Sequence, residues 1–257
     1  MTFTEEQVVQ FILQYFLPFV RIGAMLMVMP VVGSKIVSPR VRLVLSMLVT
    51  VIVVPLIPEI PSITGLSPMT LLYVAQEAAL GVMVGFIFQV AFQVFILSGQ
   101  FMAMKMGLGF ASMNDPTNGV QTTVLSQFFL MIITLMFVAT NGHLLLIELI
   151  VDSFTSLPPG AWVIDIQVFY SVASLATWMF SAALVLSLPV LTSLLFVNIA
   201  FGVMSRAAPQ LNIFAVGFPF TLIVGLVLVW LGLTNISPAF EEIMAYSLQV
   251  TTELLRL

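Results

Sequence analysis

The chain has 257 residues, of which 61% are hydrophobic and 7% are charged, and its mean hydropathy is +1.19. Soluble domains contain about 25% charged residues, so this composition excludes a water-soluble protein and predicts an integral membrane protein. The formal net charge of −4 argues against nucleic acid as a partner, and the absence of cysteine excludes disulfides and cysteine-ligated metals.

Six apolar segments follow one another along the chain. A helix needs about 20 apolar residues to cross a bilayer, and backbone amides in lipid must be hydrogen-bonded within their own segment. The sequence therefore predicts an all-α membrane protein with long helices of unequal length. We expect Pro189 to kink or break the fifth of them. The six segments are 8–31, 41–57, 70–101, 123–150, 168–204 and 213–234.

The linkers between these segments differ in charge. Those after the first, third and fifth segments are basic, whereas the termini and the other linkers are mostly acidic. Cytoplasmic loops of membrane proteins carry an excess of Lys and Arg, so the pattern predicts that both termini lie outside the cytoplasm. The basic residues concerned are Lys35, Arg40, Arg42, Lys105 and Arg206.

Two charged residues, Arg21 and Glu77, lie inside apolar segments, where a charge is costly unless protein, water or a partner shields it. They could form an ion path, or they could pair within the chain or with another subunit, and the sequence leaves open whether they pair with each other. Gln89 and Gln93 lie on one face of the third segment and predict a helix contact or a pore lining. Arg206 is a further candidate for a subunit contact.

No residue pattern predicts an enzyme, a metal site or a cofactor site. His143 is the only histidine, and no further ligand stands near it at helical spacing. The "GLG" of residues 107–109 lacks the third glycine and the strand–helix setting of a dinucleotide-binding motif. No nucleophile is paired with a base. We therefore expect no catalysis and no cofactor.

A glycine-rich stretch, "GLGFASMNDPTNG" at 107–119, separates the third and fourth segments. Gly107, Gly109 and Gly119 permit unusual backbone angles, and Asp115–Pro116 favours a turn. Such a stretch is tolerated at membrane depth only within protein or beside a water-filled space. It is either a cytoplasmic connector or a constriction in which Phe110 and Met113 exclude water from a pore.

Three stretches give the sequence its strongest resemblance to a known family. They are the 107–119 loop, "NGHLLLIELIVDSFTSLPPG" at 141–160 and "VMSRAAPQLNIFAVGFP" at 203–219. Together they resemble the FliR family, the flagellar biosynthetic proteins of the type III export apparatus, over essentially the whole chain. In the third stretch, Pro209, Gln210 and Asn212 are interpreted as a structural turn that contacts neighbouring subunits.

The resemblance implies a single membrane-embedded helical domain. Its FliP-like part would cover roughly 1–160 and its FliQ-like helical hairpin roughly 161–257. It implies helices packed as hairpins in a multi-subunit export gate with FliP, FliQ and an FlhB-like protein. That gate would lie in the bacterial inner membrane at the flagellar basal body and pass unfolded flagellar polypeptides. The 107–119 loop would be its plug, with Phe110 and Met113 as the apolar stoppers.

Two other functions remain open on the sequence. A self-contained transporter of ions or small molecules would be expected to show an inverted repeat and broken helices in both halves, and no repeat is evident. A purely structural ring component would not need the 107–119 loop.

Overall fold

A computed structural model describes residues 5–34, 37–57, 68–108, 123–160, 166–208 and 213–255. These residues are mostly helical and contain short turns but no strand. This confirms the predicted all-α fold. Two short 3₁₀ turns cover Val54–Leu56 and Leu233–Asn235. The helices are α1 (Glu5–Val28), α2 (Pro39–Val53), α3 (Pro68–Lys105), α4 (Val124–Ala139), α5 (Gly142–Ser156), α6 (Ile166–Ala207), α7 (Ile213–Gly232) and α8 (Ile236–Leu255).

Five stretches of helix are long and apolar enough to cross a membrane, and the count becomes six if the bent pair α4 and α5 forms one span. The longest single helices are α3 with 38 residues and α6 with 42. Both exceed the roughly 20 residues that a bilayer requires. Length and composition therefore agree with the prediction of membrane helices of unequal length.

The chain divides into two compact units. Unit 1 combines Met1–Val90, Met136–Leu175 and Ala245–Leu257, and unit 2 combines Ala91–Leu135 and Ala176–Met244. Several helices therefore contribute residues to both units. The predicted division of the chain near residue 160 into FliP-like and FliQ-like parts stays a prediction.

Each unit has a core of fully buried apolar side chains. In unit 1 these come mainly from α1, α3 and α5, and in unit 2 from the second part of α3 with α4 and α6. Side chains with no more than 1% exposure include Leu17, Ile22, Met25, Phe88 and Phe154 in unit 1, and Phe95, Met106, Ile133, Ala183 and Leu194 in unit 2.

The fourth predicted segment, 123–150, is not one helix. It breaks at Thr140 and Asn141 into α4 and α5, which are bent by 63°. Asn141 has a left-handed φ of 57°, a conformation that asparagine tolerates better than most residues. Gly142 follows, and a Cβ there would clash with the ring of Phe137. The local sequence "TNG" thus ends one helix and starts the next.

Pro189 does not break α6, contrary to the stronger form of the prediction, because the helix continues from Ile166 to Ala207. Proline removes one hydrogen-bond donor from a helix, and apolar membrane helices tolerate this loss when surrounding protein satisfies the backbone. Ser193 Oγ donates to the carbonyl of Pro189 at 2.8 Å.

Helix α8 was not predicted, because the sixth segment was expected to end at 234. Its buried positions recur every three or four residues, which is the spacing of one helix face. They are Ile236, Phe240, Ile243, Ser247, Thr251 and Leu255. The three glutamates of α8 lower the hydropathy of this stretch, so that it was not recognised as an apolar helix.

The structure corrects the predicted boundary between the first linker and α2. Arg40 and Arg42 were assigned to that linker, but they lie in the first turn of α2. Ser38 caps this helix through its hydroxyl, which accepts from the backbone N–H of Val41 at 3.5 Å. Pro39 follows as the first helical residue. Serine followed by proline is a typical helix start.

Candidate functional site: a buried arginine and an anchored loop

Arg21 of α1 and Glu77 of α3 form a salt bridge in the core of unit 1. Arg21 Nε donates to Glu77 Oε2 at 2.6 Å, and both side chains are 0% exposed. The sequence left open whether these two residues pair. In the structure each one neutralises the charge of the other.

The remaining guanidinium nitrogens of Arg21 point to the C-terminal end of α5. Nη1 donates to the carbonyl and the hydroxyl of Ser153 at 3.1 and 3.0 Å, and Nη2 donates to the carbonyl of Leu157 at 2.8 Å. Carbonyls at a helix C-terminus form the negative end of its dipole, and the carbonyl of Ser153 accepts from the N–H of Leu157 at 2.8 Å as well as from Arg21. Arg21 therefore caps α5 while it neutralises Glu77.

An aromatic ring completes the surroundings of the buried cation. The Cζ atom of Arg21 lies 4.4 Å from the ring centroid of Phe154, within the range of a cation–π interaction. The sequence analysis missed Ser153, Phe154 and Leu157 as partners of Arg21. The only sequence feature that could have pointed to these three residues was a small polar residue in an apolar helix that ends before "LPPG".

Two glycines bring α1 and α3 close enough for this arrangement. A Cβ at Gly81 would clash with the carbonyl oxygen of Arg21, and one at Gly85 would lie 2.9 Å from the carbonyl oxygen of Met25. Small residues at this four-residue spacing allow helix backbones to approach closely in membranes. Glu77 lies one turn before Gly81, so the same helix face presents the carboxylate to α1.

The other predicted polar residues are not partners of Arg21. Gln89 and Gln93 are half-buried on α3, and Arg206 is exposed in the last turn of α6. The described residues contain no group of three or more side chains suited to a metal ion. The contacts of Arg21 join α1, α3 and the C-terminal end of α5, and its positive charge is paired with the negative charge of Glu77.

The 107–119 loop begins at an ordered helix end in unit 2. The N–H of Gly107 donates to the carbonyl of Met104 at 3.2 Å, and the N–H of Leu108 donates to that of Ala103 at 2.9 Å. With a φ of +82° at Gly107, these bonds form the Schellman motif that commonly ends helices. Gly107 therefore terminates α3, a specific role that its sequence position did not reveal.

Helix α7 packs against this helix end. A Cβ at Gly107 would lie 2.8 Å from Cδ2 of Phe218, and one at Gly225 would lie 3.0 Å from Sδ of Met106. Met102 and Met106 are buried, whereas Met104 is 61% exposed. Met102 and Met106 thus belong to the core of unit 2.

The other end of the loop is tied to α3. Thr123 Oγ1 accepts from the N–H of Ser126 at 3.2 Å and so caps α4. Ser126 Oγ donates to the carbonyl of Ile96 at 2.9 Å. Gly99 leaves room for this contact, because a Cβ there would lie 2.9 Å from Cα of Ser126. Both ends of the loop are therefore anchored within unit 2.

Most of the predicted loop and turn lies outside the described residues. For the loop this applies to Gly109, Phe110, Met113, Asp115, Pro116 and Gly119. For the turn it applies to Pro209, Gln210 and Asn212. Helix α6 ends at Ala207 before this turn, and α7 begins at Ile213 after it.

Comparison with known proteins identifies the family. Residues 12–246 match the model of the family described as bacterial export proteins, family 1. The chain belongs to this family. The predicted resemblance to FliR proteins is thereby confirmed.

Relatives within the family cover nearly the whole chain. The flagellar biosynthetic protein FliR of Pectobacterium carotovorum is 36% identical over 99% of this chain and 97% of its own length. FliR of Escherichia coli K12 is 34% identical over 94% of this chain and 92% of its own. FliR of Bacillus subtilis is 26% identical over 95% of both chains. These names describe flagellar biosynthesis and name no enzymatic reaction.

Proposed function

We propose that this chain is a component of the flagellar type III export gate and that it forms, with FliP and FliQ, a channel for unfolded flagellar subunits. An FlhB-like protein would join this assembly in the bacterial inner membrane at the flagellar basal body. Membership in a family of flagellar export proteins supports this proposal. Energy for export would come from other components, since the chain has no phosphate-binding loop.

The loop from Gly107 to Gly119 is, in this proposal, the plug of the channel. Its anchoring supports the role, because a plug needs fixed ends and a movable middle. Ile96 and Gly107 are eleven residues apart on α3, which corresponds to about 16 Å along the helix. Fifteen peptide units connect Leu108 to Thr123 and can extend to about 50 Å. The loop is thus long enough to reach roughly 20 Å away from its anchors.

Phe110 and Met113 would supply the apolar contacts that exclude water and ions from the closed channel. The Schellman motif at Gly107 and the cap at Thr123 would keep each movement of the loop from unwinding α3 and α4. Gln89, Gln93 and Arg206 remain candidates for contacts with neighbouring subunits, and so do Pro209, Gln210 and Asn212. Arg21 and Glu77 would hold α1, α3 and α5 together and would not conduct ions.

The test uses cells that express the chain with its flagellar partners. Residues 110–118 are replaced by a Gly/Ser sequence of equal length, which keeps the connection and removes Phe110 and Met113. Met104→Ala is the matched control, because it removes an exposed methionine outside the loop. Ion leakage, secretion of filament subunits and co-purification with partners are measured together.

Three outcomes separate the possible functions. Increased leakage from an assembled complex supports the plug. Unchanged leakage with intact assembly would show that the loop is a connector. Solute transport by the purified chain alone in liposomes would favour the transporter and contradict the gate.

A further inference from the structure

A groove of about 380 Å³ lies between α1 and α2 in unit 1. It runs along α1 from Phe11 to Phe19 and along α2 from Leu43 to Val51, which corresponds to about 12 Å of each helix. Both helices are long and apolar enough to cross a membrane. The groove is therefore long and narrow, and it lies in the part of the chain that hydrocarbon can reach.

The lining of the groove offers an occupant few polar groups. Apart from Tyr15 and Thr50, it consists of aromatic and aliphatic side chains that carry no polar atom. Thr50 is 3% exposed, and its hydroxyl donates to the carbonyl of Ser46 at 2.7 Å. On either side of it, apolar side chains such as Phe11 and Met47 are exposed. Hydrocarbon fits this lining, because it has no polar group that the walls would leave without a hydrogen bond.

The size of the groove favours a single hydrocarbon chain over a helix. A helix about 10 Å wide occupies about 900 Å³ over about 12 Å of its length, which is more than twice the volume of the groove. A single file of methylene groups is much narrower, since carbon atoms approach one another to about 4 Å. A helix could insert only some of its side chains, whereas one acyl chain of a lipid can lie along the whole groove.

An arginine stands at one end of this apolar groove. Arg40 lies in the first turn of α2, about 4.5 Å along the helix axis before Leu43. At about 100° per residue, Arg40 falls on the same side of α2 as Met47 and Val51, which line the groove. Helical side chains lean towards the N-terminus of their helix, so Arg40 extends the groove with a positive charge and does not obstruct it.

Arg40 is available to a ligand, whereas its neighbour Arg42 is not. Arg42 donates to the carbonyls of Ser34 and Val37 and so holds the end of the preceding linker. The side chain of Arg40 is exposed and forms no ion pair or hydrogen bond with a described residue. It also lies at the end of the candidate membrane span Pro39–Leu56. Basic residues at this depth attract anionic lipid headgroups.

We infer that the groove binds one acyl chain of an anionic phospholipid and that the negatively charged headgroup of this lipid pairs with Arg40. The groove supplies the apolar contact, and the arginine at its end favours an anionic lipid over a zwitterionic one. Neither feature involves the 107–119 loop. The inference therefore goes beyond the proposed function and does not depend on it.

The test uses the chain purified in detergent together with the flagellar proteins that co-purify with it. The sample is incubated with phosphatidylglycerol that carries a diazirine in one acyl chain, or with phosphatidylcholine that has the same acyl chains. After illumination, mass spectrometry locates the attached lipid. We expect attachment within 11–19 and 43–51, with a yield about five times higher for phosphatidylglycerol, since one arginine near the membrane surface changes the affinity for an anionic lipid by about this factor.

Matched variants test the groove and the charge separately. Met47→Trp fills the groove and should remove most of the attachment, whereas Met27→Trp, at an exposed position of α1 outside the groove, should not. Arg40→Gln should lower the yield with phosphatidylglycerol about five-fold and leave the yield with phosphatidylcholine unchanged. Arg40→Lys, which keeps the charge, should retain the preference. Lys105→Gln, which removes an exposed cation at the end of α3, should change neither yield.

Several results would overturn the inference. Equal yields for the two lipids, or the same loss with Lys105→Gln as with Arg40→Gln, would show that Arg40 does not select the headgroup. Attachment spread evenly over all exposed apolar helices would show that only the general lipid layer is labelled. Labelling of other segments without labelling of 11–19 and 43–51 would show that another subunit covers the groove. None of these results would contradict the proposed export function.

Discussion

Glu77 in unit 1 and Glu242 in unit 2 are carboxylates in opposite surroundings. Arg21 donates to one oxygen of Glu77, to two carbonyls and to a hydroxyl, and both charged side chains are fully buried. The other oxygen of Glu77, Oε1, is buried without a hydrogen-bond partner among the described residues. The side chain of Glu242, on α8, is exposed and forms no ion pair with a described residue. Because buried charges are costly unless paired, Glu77 requires Arg21, whereas the exposed carboxylate of Glu242 does not require a partner within the chain.

The largest effect on stability is expected from breaking the salt bridge between Arg21 and Glu77. Glu77→Ala leaves the Arg21 cation buried without its counter-charge, which costs about 3–5 kcal/mol in comparable sites. We expect a strongly lowered thermal unfolding temperature of the purified complex. Lys105→Ala, which removes an exposed lysine, is the control and should change little. The double variant Arg21→Met with Glu77→Leu should recover most of the loss; if it is as unstable as Glu77→Ala, the charge-pair explanation is wrong.

The next largest effect on stability is expected from disturbing the close approach of α1 and α3. Gly81→Ala places a methyl group against the carbonyl of Arg21, and overpacking of this kind costs about 1–3 kcal/mol. Gly202→Ala is the matched control, because a Cβ there meets nothing within 4 Å. It should be neutral or slightly stabilising, since alanine is the better helix former. Equal unfolding temperatures for the two variants would contradict the packing of α1 on α3.

A smaller effect is expected at the anchor of the loop. Gly107→Ala forces a left-handed φ on alanine and brings its Cβ into Phe218, at a cost of about 1 kcal/mol for the backbone alone. We expect a moderate fall in secretion by assembled complexes. Gly107→Ala combined with Phe218→Ala should recover part of the secretion. No recovery, with assembly intact, would show that the contact with Phe218 is unimportant.

The smallest effect is expected at the other anchor. Ser126→Ala removes the hydrogen bond to the carbonyl of Ile96, which contributes about 0.5–1.5 kcal/mol. Ser181→Ala, which removes only a bond within its own exposed helix, is the control. The two variants should differ in ion leakage, measured in cells, if the anchor positions the plug. Identical leakage would show that the bond between Ser126 and Ile96 does not position the plug.

Most of the helices were predictable because hydropathy in a membrane protein is a strong signal. The predicted first, third, fifth and sixth segments correspond to α1, α3, α6 and α7, with ends that differ by a few residues. The bend at Asn141 was missed because the apolar composition continues through it. Helix α8 was missed because its glutamates made it resemble a solvent-exposed tail, although its buried positions follow the helix period.

The sites were less predictable than the helices. Arg21 and Glu77 stood out as charges in apolar segments, but Ser153 and Leu157 did not, because two of the three groups that they provide are backbone carbonyls. Glu242 appeared as one of several acids near the C-terminus. In the structure both Glu241 and Glu242 are exposed, and only Glu241 accepts a hydrogen bond, from Ser237. Hydropathy reports single residues, whereas the site around Arg21 depends on backbone carbonyls that packing brings close to its guanidinium.

The sequence by itself determined that the chain is a helical membrane protein, because too few charges are present to form a water-soluble surface. Its motifs also pointed to the flagellar export family. The tertiary structure alone decided that Arg21 pairs with Glu77 and donates to Ser153 and Leu157, and that Ser126 donates to the carbonyl of Ile96. These facts depend on contacts between residues far apart in the chain, and such contacts arise from packing geometry that local composition does not encode.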